Sequence, residues 1–149
     1  MLLKGKNIVI TGSGRGIGKE VALACAREGA NIGLTSRTRE ELDNVKKEIK
    51  NLGTGIKVVV VIGDISNYKD AEHLFKTFHN ELGQLDGVIA NAGYSRRGSS
   101  DTFDIEKFRQ ILDINILGVY FTFRAALPYL RKDDKKNKAR FIVTGSGTY

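Results

Sequence analysis

Two apolar rhythms alternate along the chain. Short runs rich in β-branched residues recur at 7–10, 31–36, 56–62, 87–90 and 140–144. Between them lie longer stretches in which apolar residues return every three or four positions. The first rhythm fits strands, and the second fits helices that turn one face to a core. Helices are expected over about 19–28, 37–51, 66–82 and 105–131. In the third of these, Ala71, Leu74, Phe75 and Phe78 share a face. The run 56–62 is the most continuous and reads as a buried parallel strand. Thr38 and Glu41 have the spacing of a capping box, and Pro128 should kink the end of the last helix.

Five strands alternating with four helices imply an α/β fold: a parallel sheet with right-handed crossovers and helices on both faces. The length of 149 residues suits a single domain. By analogy with other doubly wound sheets, the strand order is 3-2-1-4-5. The ligand crevice then lies at the carboxyl ends of strands one and four, where the winding reverses. Two loops fall there, one beginning at Thr11 and the other formed by Asn91-Ala92-Gly93.

The first loop, Thr11-Gly12-Ser13-Gly14-Arg15-Gly16-Ile17-Gly18, holds four glycines in seven positions between a strand and a helix. Glycines permit a tight turn and close backbone approach, and the helix N-terminus behind them offers unpaired N–H groups to an anion. A phosphate or pyrophosphate fits. An ordinary strand-to-helix turn would also contain glycine. A Walker-type phosphate loop is excluded, because Gly18-Lys19 is followed by Glu20. The spacing Thr-Gly-x-x-x-Gly-x-Gly of Thr11, Gly12, Gly16 and Gly18 resembles that of the short-chain dehydrogenase/reductase family.

That resemblance covers nearly the whole chain and implies a Rossmann-type sheet that binds NAD(H) or NADP(H). It assigns the cofactor to Thr11, Gly12, Ser13, Gly14, Arg15, Gly16, Ile17 and Gly18, to Ser36 and Arg37 after the second strand, to Asp64 and Ile65 after the third, and to Asn91, Ala92 and Gly93. Within it, Asp64 matches the acidic residue at the adenine ring, and Asn91-Ala92-Gly93 borders the nicotinamide side. Asn115 matches the active-site Asn, and Ser146 matches the Ser that hydrogen-bonds the substrate carbonyl. Read without the resemblance, Asp64 fits a helix cap and Asn91 a loop backbone partner. Asn115, beside Ile114, Ile116 and Leu117, needs partners of its own, either a structural network or a water.

The chemistry implied is hydride exchange between nicotinamide and a carbonyl or alcohol carbon. The family's Tyr-x-x-x-Lys pair, which supplies the proton, does not occur in the 149 residues, and Tyr149 lies too close to Ser146 to replace it. The expectation is therefore a truncated reductase, its sheet incomplete on the C-terminal side. The alternative is an NADPH-binding module without catalysis.

NADP(H) is the expected cofactor. A carboxylate about 20 residues past the glycine loop marks an NAD site, whereas here the second strand ends in Ser36-Arg37 and Arg15 lies within the loop. Two guanidiniums suit a ribose 2′-phosphate.

Composition narrows the remaining options. The net charge is +7, but 131–140 alone carries six basic and two acidic residues and no aromatic side chain, which reads as a solvated loop and not a nucleic-acid surface. No run of 18 apolar residues occurs, so no membrane partner is expected. Cys25 reads as a small core residue, and His73 and His79 fit no metal-ligand spacing, so no metal is expected. These features favour a cytoplasmic location, and the resemblance implies a small-molecule carbonyl or alcohol substrate and a homo-oligomer joined through the apolar last helix.

Overall fold

The computed structural model describes residues 1–95, 104–132 and 138–145. Five parallel strands form one sheet: β1 (Asn7–Thr11), β2 (Asn31–Ser36), β3 (Val58–Ile62), β4 (Gly87–Ala90) and β5 (Arg140–Val143), in the order β3-β2-β1-β4-β5. The parallel pairing is the one the alternation of strands and helices implies, and the order is the one expected by analogy with other doubly wound sheets. The helices α1 (Gly16–Arg27) and α2 (Arg39–Asn51) cover one face. On the other lie α3 (Tyr68–Leu82) and the carboxyl-terminal helical segment.

Period-two alternation in the strands feeds two cores. Ile8, Ile10, Ile32 and Leu34 point toward α1 and α2, meeting Ala22, Leu42, Val45 and Ile49. Val9, Val59 and Val88 point the other way, onto Leu74, Phe75 and Phe78 of α3 and Ala125 and Ala126. Gly33 belongs to this second face, where a Cβ would come within 2.9 Å of both Phe78 and Val9. The expected face of α3 is the one it buries.

Three local readings change. The run expected to be a buried parallel strand forms β3, which pairs only with β2 among the described residues and buries only Val59. Its apolar continuity reflects helices packed on both faces, while its outer side stays open. Thr38 does precede α2, but its side chain makes no capping bond. The last helix is not one element: α4 (Ile105–Leu112) passes into a π-helical turn over Asp113–Leu117, then α5 (Gly118–Ala126) and a 3₁₀ turn at Leu127–Tyr129 that contains Pro128. By length and composition, Ile105–Tyr129 is apolar enough to cross a membrane although no unbroken apolar run exists. In this fold its α5 portion packs on α3 and β4. Phe108, Leu112, Ile116, Tyr120 and Phe123 remain exposed along it.

Candidate functional site

A cleft of about 470 Å³ opens at the carboxyl ends of the strands, beside the ends of β1 and β4. Its floor is the loop between β1 and α1. Gly12 has φ +63° and Gly16 φ +55°, a region only glycine adopts without strain. A Cβ on Gly12 would lie 2.7 Å from the Cα of Ala92, so the two loops are in backbone contact. A Cβ on Gly18 would collide with the Gly12 carbonyl oxygen and the Asn91 side-chain amide. A Cβ on Gly16 would meet nothing within 4 Å and would project into open space beside the first turn of α1.

The loops are held from beneath. The Thr11 hydroxyl accepts hydrogen bonds from the backbone N–H groups of Asn91 and Ala92, both at 3.1 Å. Asn91 returns its side-chain N–H to the carbonyls of Thr11 and Gly12, each at 3.2 Å. Ser13 is fully buried, and its hydroxyl accepts the Thr35 N–H at 3.0 Å. Thr11, Ser13 and Gly18 therefore set the loop's shape from below the cleft lining. Gly12, Gly14, Arg15, Gly16, Ile17, Ser36, Arg37, Asp64, Ile65, Asn91, Ala92 and Gly93 all line the cleft.

On the far wall, the Asp64 carboxylate accepts from the Ser66 N–H at 2.9 Å and the Ser66 hydroxyl at 2.7 Å. Helix α3 is instead capped by Asn67, whose side-chain oxygen accepts from Lys69 and Asp70, so the cap reading of Asp64 is removed. The other Asp64 oxygen lies 4.0 Å from the Arg37 guanidinium. Ile65 is wedged against Gly118 at the start of α5. Asn115, in the π-helical turn, accepts the Tyr94 N–H at 2.9 Å and donates to the Tyr94 carbonyl at 2.8 Å. Of its two open readings, a structural network is thus present: Asn115 fastens the strand-four loop to the helix. Ser146 and Tyr149 lie outside the described residues.

Two features bear on whether a dinucleotide fits. The Thr35 hydroxyl, on a cleft-lining residue, is buried without a hydrogen-bond partner. The N–H groups of the first turn of α1 have no intrahelical acceptors and stand beside the open space at Gly16. Both suit a polar, anionic ligand. Sequence reasoning missed Thr35, Thr38, Glu41, Gly63 and Ile114 as lining residues. Glu41 was legible only as a capping partner. Among the described residues no cluster of His, Cys, Asp and Glu could hold a metal ion.

The glycine-rich turn, the clamp between β1 and β4, and the strand order together define a doubly wound, Rossmann-type α/β protein. The family model for short chain dehydrogenases matches residues 6–148, and the chain belongs to that family. It is 34% identical over 145 residues to an 11-beta-hydroxysteroid dehydrogenase-like protein of Arabidopsis thaliana, covering 97% of this chain and 46% of the relative. It is 31% identical over 150 residues to the 3-ketodihydrosphingosine reductase of Bos taurus, covering 99% and 45%. Among solved structures, an alcohol dehydrogenase of Thermococcus sibiricus complexed with 5-hydroxy-NADP is similar with a TM-score of 0.80 and 32% identity, over 83% of this chain and 52% of that one. The chain spans about half the length of the curated relatives it matches.

Proposed function

We propose that this chain carries the cofactor-binding part of an NADP(H)-dependent oxidoreductase acting on a small carbonyl or alcohol substrate. The observation that carries the reading is Arg37 on the cleft wall directly after β2, with Arg15 across the glycine loop. Both guanidiniums are well exposed, and among the described residues each has only a loose carboxylate neighbour at 4.0 Å. A ribose 2′-phosphate would give them a doubly charged partner in place of these contacts. The first turn of α1 and Gly16 would receive the pyrophosphate, and Asp64 and Ile65 the adenine side. The nicotinamide, when bound, supplies the hydride donor or acceptor. Asn115 orders the loop that reaches the nicotinamide side, and Ser146 is proposed as the donor to the substrate oxygen. The names of the relatives support a ketone or alcohol borne on a largely apolar skeleton. The exposed apolar side of α4 and α5 supports a homo-oligomer, and the single Cys25 a reducing cytoplasm.

Arg37→Ala tests the cofactor assignment. Loss of one charge-assisted hydrogen bond costs about 1.5–3 kcal/mol, roughly 10- to 100-fold in affinity. NADPH should weaken by that factor while NADH changes little, as read by fluorescence titration. Equal weakening of both would refute the assignment. The second reading is a cofactor-binding module without turnover; the 149 residues themselves contain no Tyr-x-x-x-Lys pair to supply a proton. On either reading, turnover by this chain alone should be close to background.

A further inference from the structure

Glu41 occupies a position that neither its helix nor the core requires. It lies in the first turn of α2, where Leu42 and not Glu41 enters the core. A Cβ built on Gly14 would stand 2.8 Å from the Glu41 carboxylate and 3.1 Å from the Ser36 hydroxyl. The carboxylate therefore rests directly on the glycine loop, at the end of β2. Its Oε1 is 4.0 Å from Arg15 Nε. Glu41 also lines a second groove, of about 440 Å³ between α1 and α2, with Lys19, Asn44 and Glu48, so together with Gly14, Arg15 and Gly16 it forms the partition between groove and cleft. Lys19 is already engaged by Glu48 at 2.8 Å and is not free to neutralise Glu41.

This inference rests on the NADP(H) reading of the same cleft. We propose that Glu41 sets the cofactor preference by holding a negative charge against Arg15, beside the place where a 2′-phosphate would bind. A phosphate entering there meets Arg37 and Arg15 but must displace or tolerate the Glu41 carboxylate. A cofactor with a free 2′-hydroxyl meets no such repulsion and can donate a hydrogen bond to the same oxygen. Glu41 thus lowers NADP(H) affinity and retains NAD(H), so that the site discriminates less than two arginines would on their own.

The test is Glu41→Gln, which removes the charge and keeps the shape, with Glu41→Ala as a second variant that also clears the partition. Each is titrated with NADPH and with NADH at low and high salt, beside the unaltered protein and Arg37→Ala. The exposed carboxylate at 4.0 Å sets the scale, and removing it should tighten NADPH about three- to tenfold at low salt, less at high salt. NADH should stay unchanged or weaken. An NADPH/NADH preference unchanged in both variants, or shifted toward NADH, would overturn the role of Glu41 while leaving the Arg37 result to stand. A tighter NADPH complex in Glu41→Gln alongside an Arg37→Ala variant that weakens both cofactors equally would support Glu41 and refute the reading based on Arg37.

Discussion

The two ends of the sheet use polar residues in opposite ways. At the amino ends of the strands, polar groups bind each other. Asn7 donates to the carbonyls of Leu82 and Gln84 at 2.6 and 2.9 Å and accepts from Asn31, whose own oxygen accepts from the Lys57 N–H. Asp86, only 7% exposed at its side chain, accepts from the Asn7 N–H at 3.0 Å and from Arg131 Nε at 2.8 Å, with Lys6 at 3.4 Å. At the carboxyl ends, the first-turn N–H groups of α1, the Thr35 hydroxyl and two exposed arginines remain available. At one end, Asn7, Asn31 and Asp86 have consumed their hydrogen-bonding capacity in joining strands, while the nearby Thr54 hydroxyl and His79 Nδ1 stay buried without a partner among the described residues. The other end holds such capacity in reserve for a ligand. Stability and binding therefore reside at opposite ends of the same strands, and substitutions should separate them.

Gly12→Ala should give the largest effect, because Gly12 belongs to the clamp that supports the binding end. A side chain there is strained at φ +63° and meets Ala92 at 2.7 Å, with an expected cost of about 3–5 kcal/mol of stability. Denaturant titration should show that loss together with failure to bind cofactor. A variant that keeps full affinity would show the clamp to be dispensable. Asp86→Ala comes next. Leaving Arg131 and the Asn7 N–H without their buried acceptor should cost about 2–4 kcal/mol. The folded fraction should bind NADPH as before, and a parallel fall in affinity would break the separation of the two ends.

The smallest effect belongs to Cys25, in the last turn of α1. Burial raises its thiol pKa, so the native protein holds that proton more firmly than the unfolded chain does. Below the ordinary thiol range this makes no difference to stability. As pH rises through and above that range, the unfolded chain loses its proton first and stability declines. Thiol labelling near pH 8 should be slower than for free cysteine, and Asp86→Ala should accelerate it through unfolding while cofactor slows it.

Much of the fold was legible because it depends on local signals. Glycine spacing marked the β1–α1 turn, and β-branched runs marked strands as short as Gly87–Ala90. Most of the proposed cofactor positions do meet at one cleft. What the sequence concealed were properties that depend on tertiary neighbours. The π-helical turn is invisible to helical periodicity, since Ile114, Ile116 and Leu117 satisfy almost any phase. Glu41 carried a capping-box spacing, yet its carboxylate is drawn to Arg15 and Gly14. The amino-end network had a signal that was not used: Asn7 and Asn31 open strands although Asn disfavours sheet, and Asp86 directly precedes one.

The Thr11–Asn91 clamp also has a consequence in time. Its partners are 80 residues apart along the chain, so the crevice does not exist until β4 has docked beside β1. The segment from β1 through β3 contains every glycine of the cradle and both arginines, yet by itself it presents only half a wall. Contacts this distant in sequence form late, after the entropy of closing the intervening loop has been overcome. A cofactor that recognises the finished crevice then draws the population toward the completed sheet by mass action, and the first appearance of cofactor binding during refolding becomes a clock for the docking of β4.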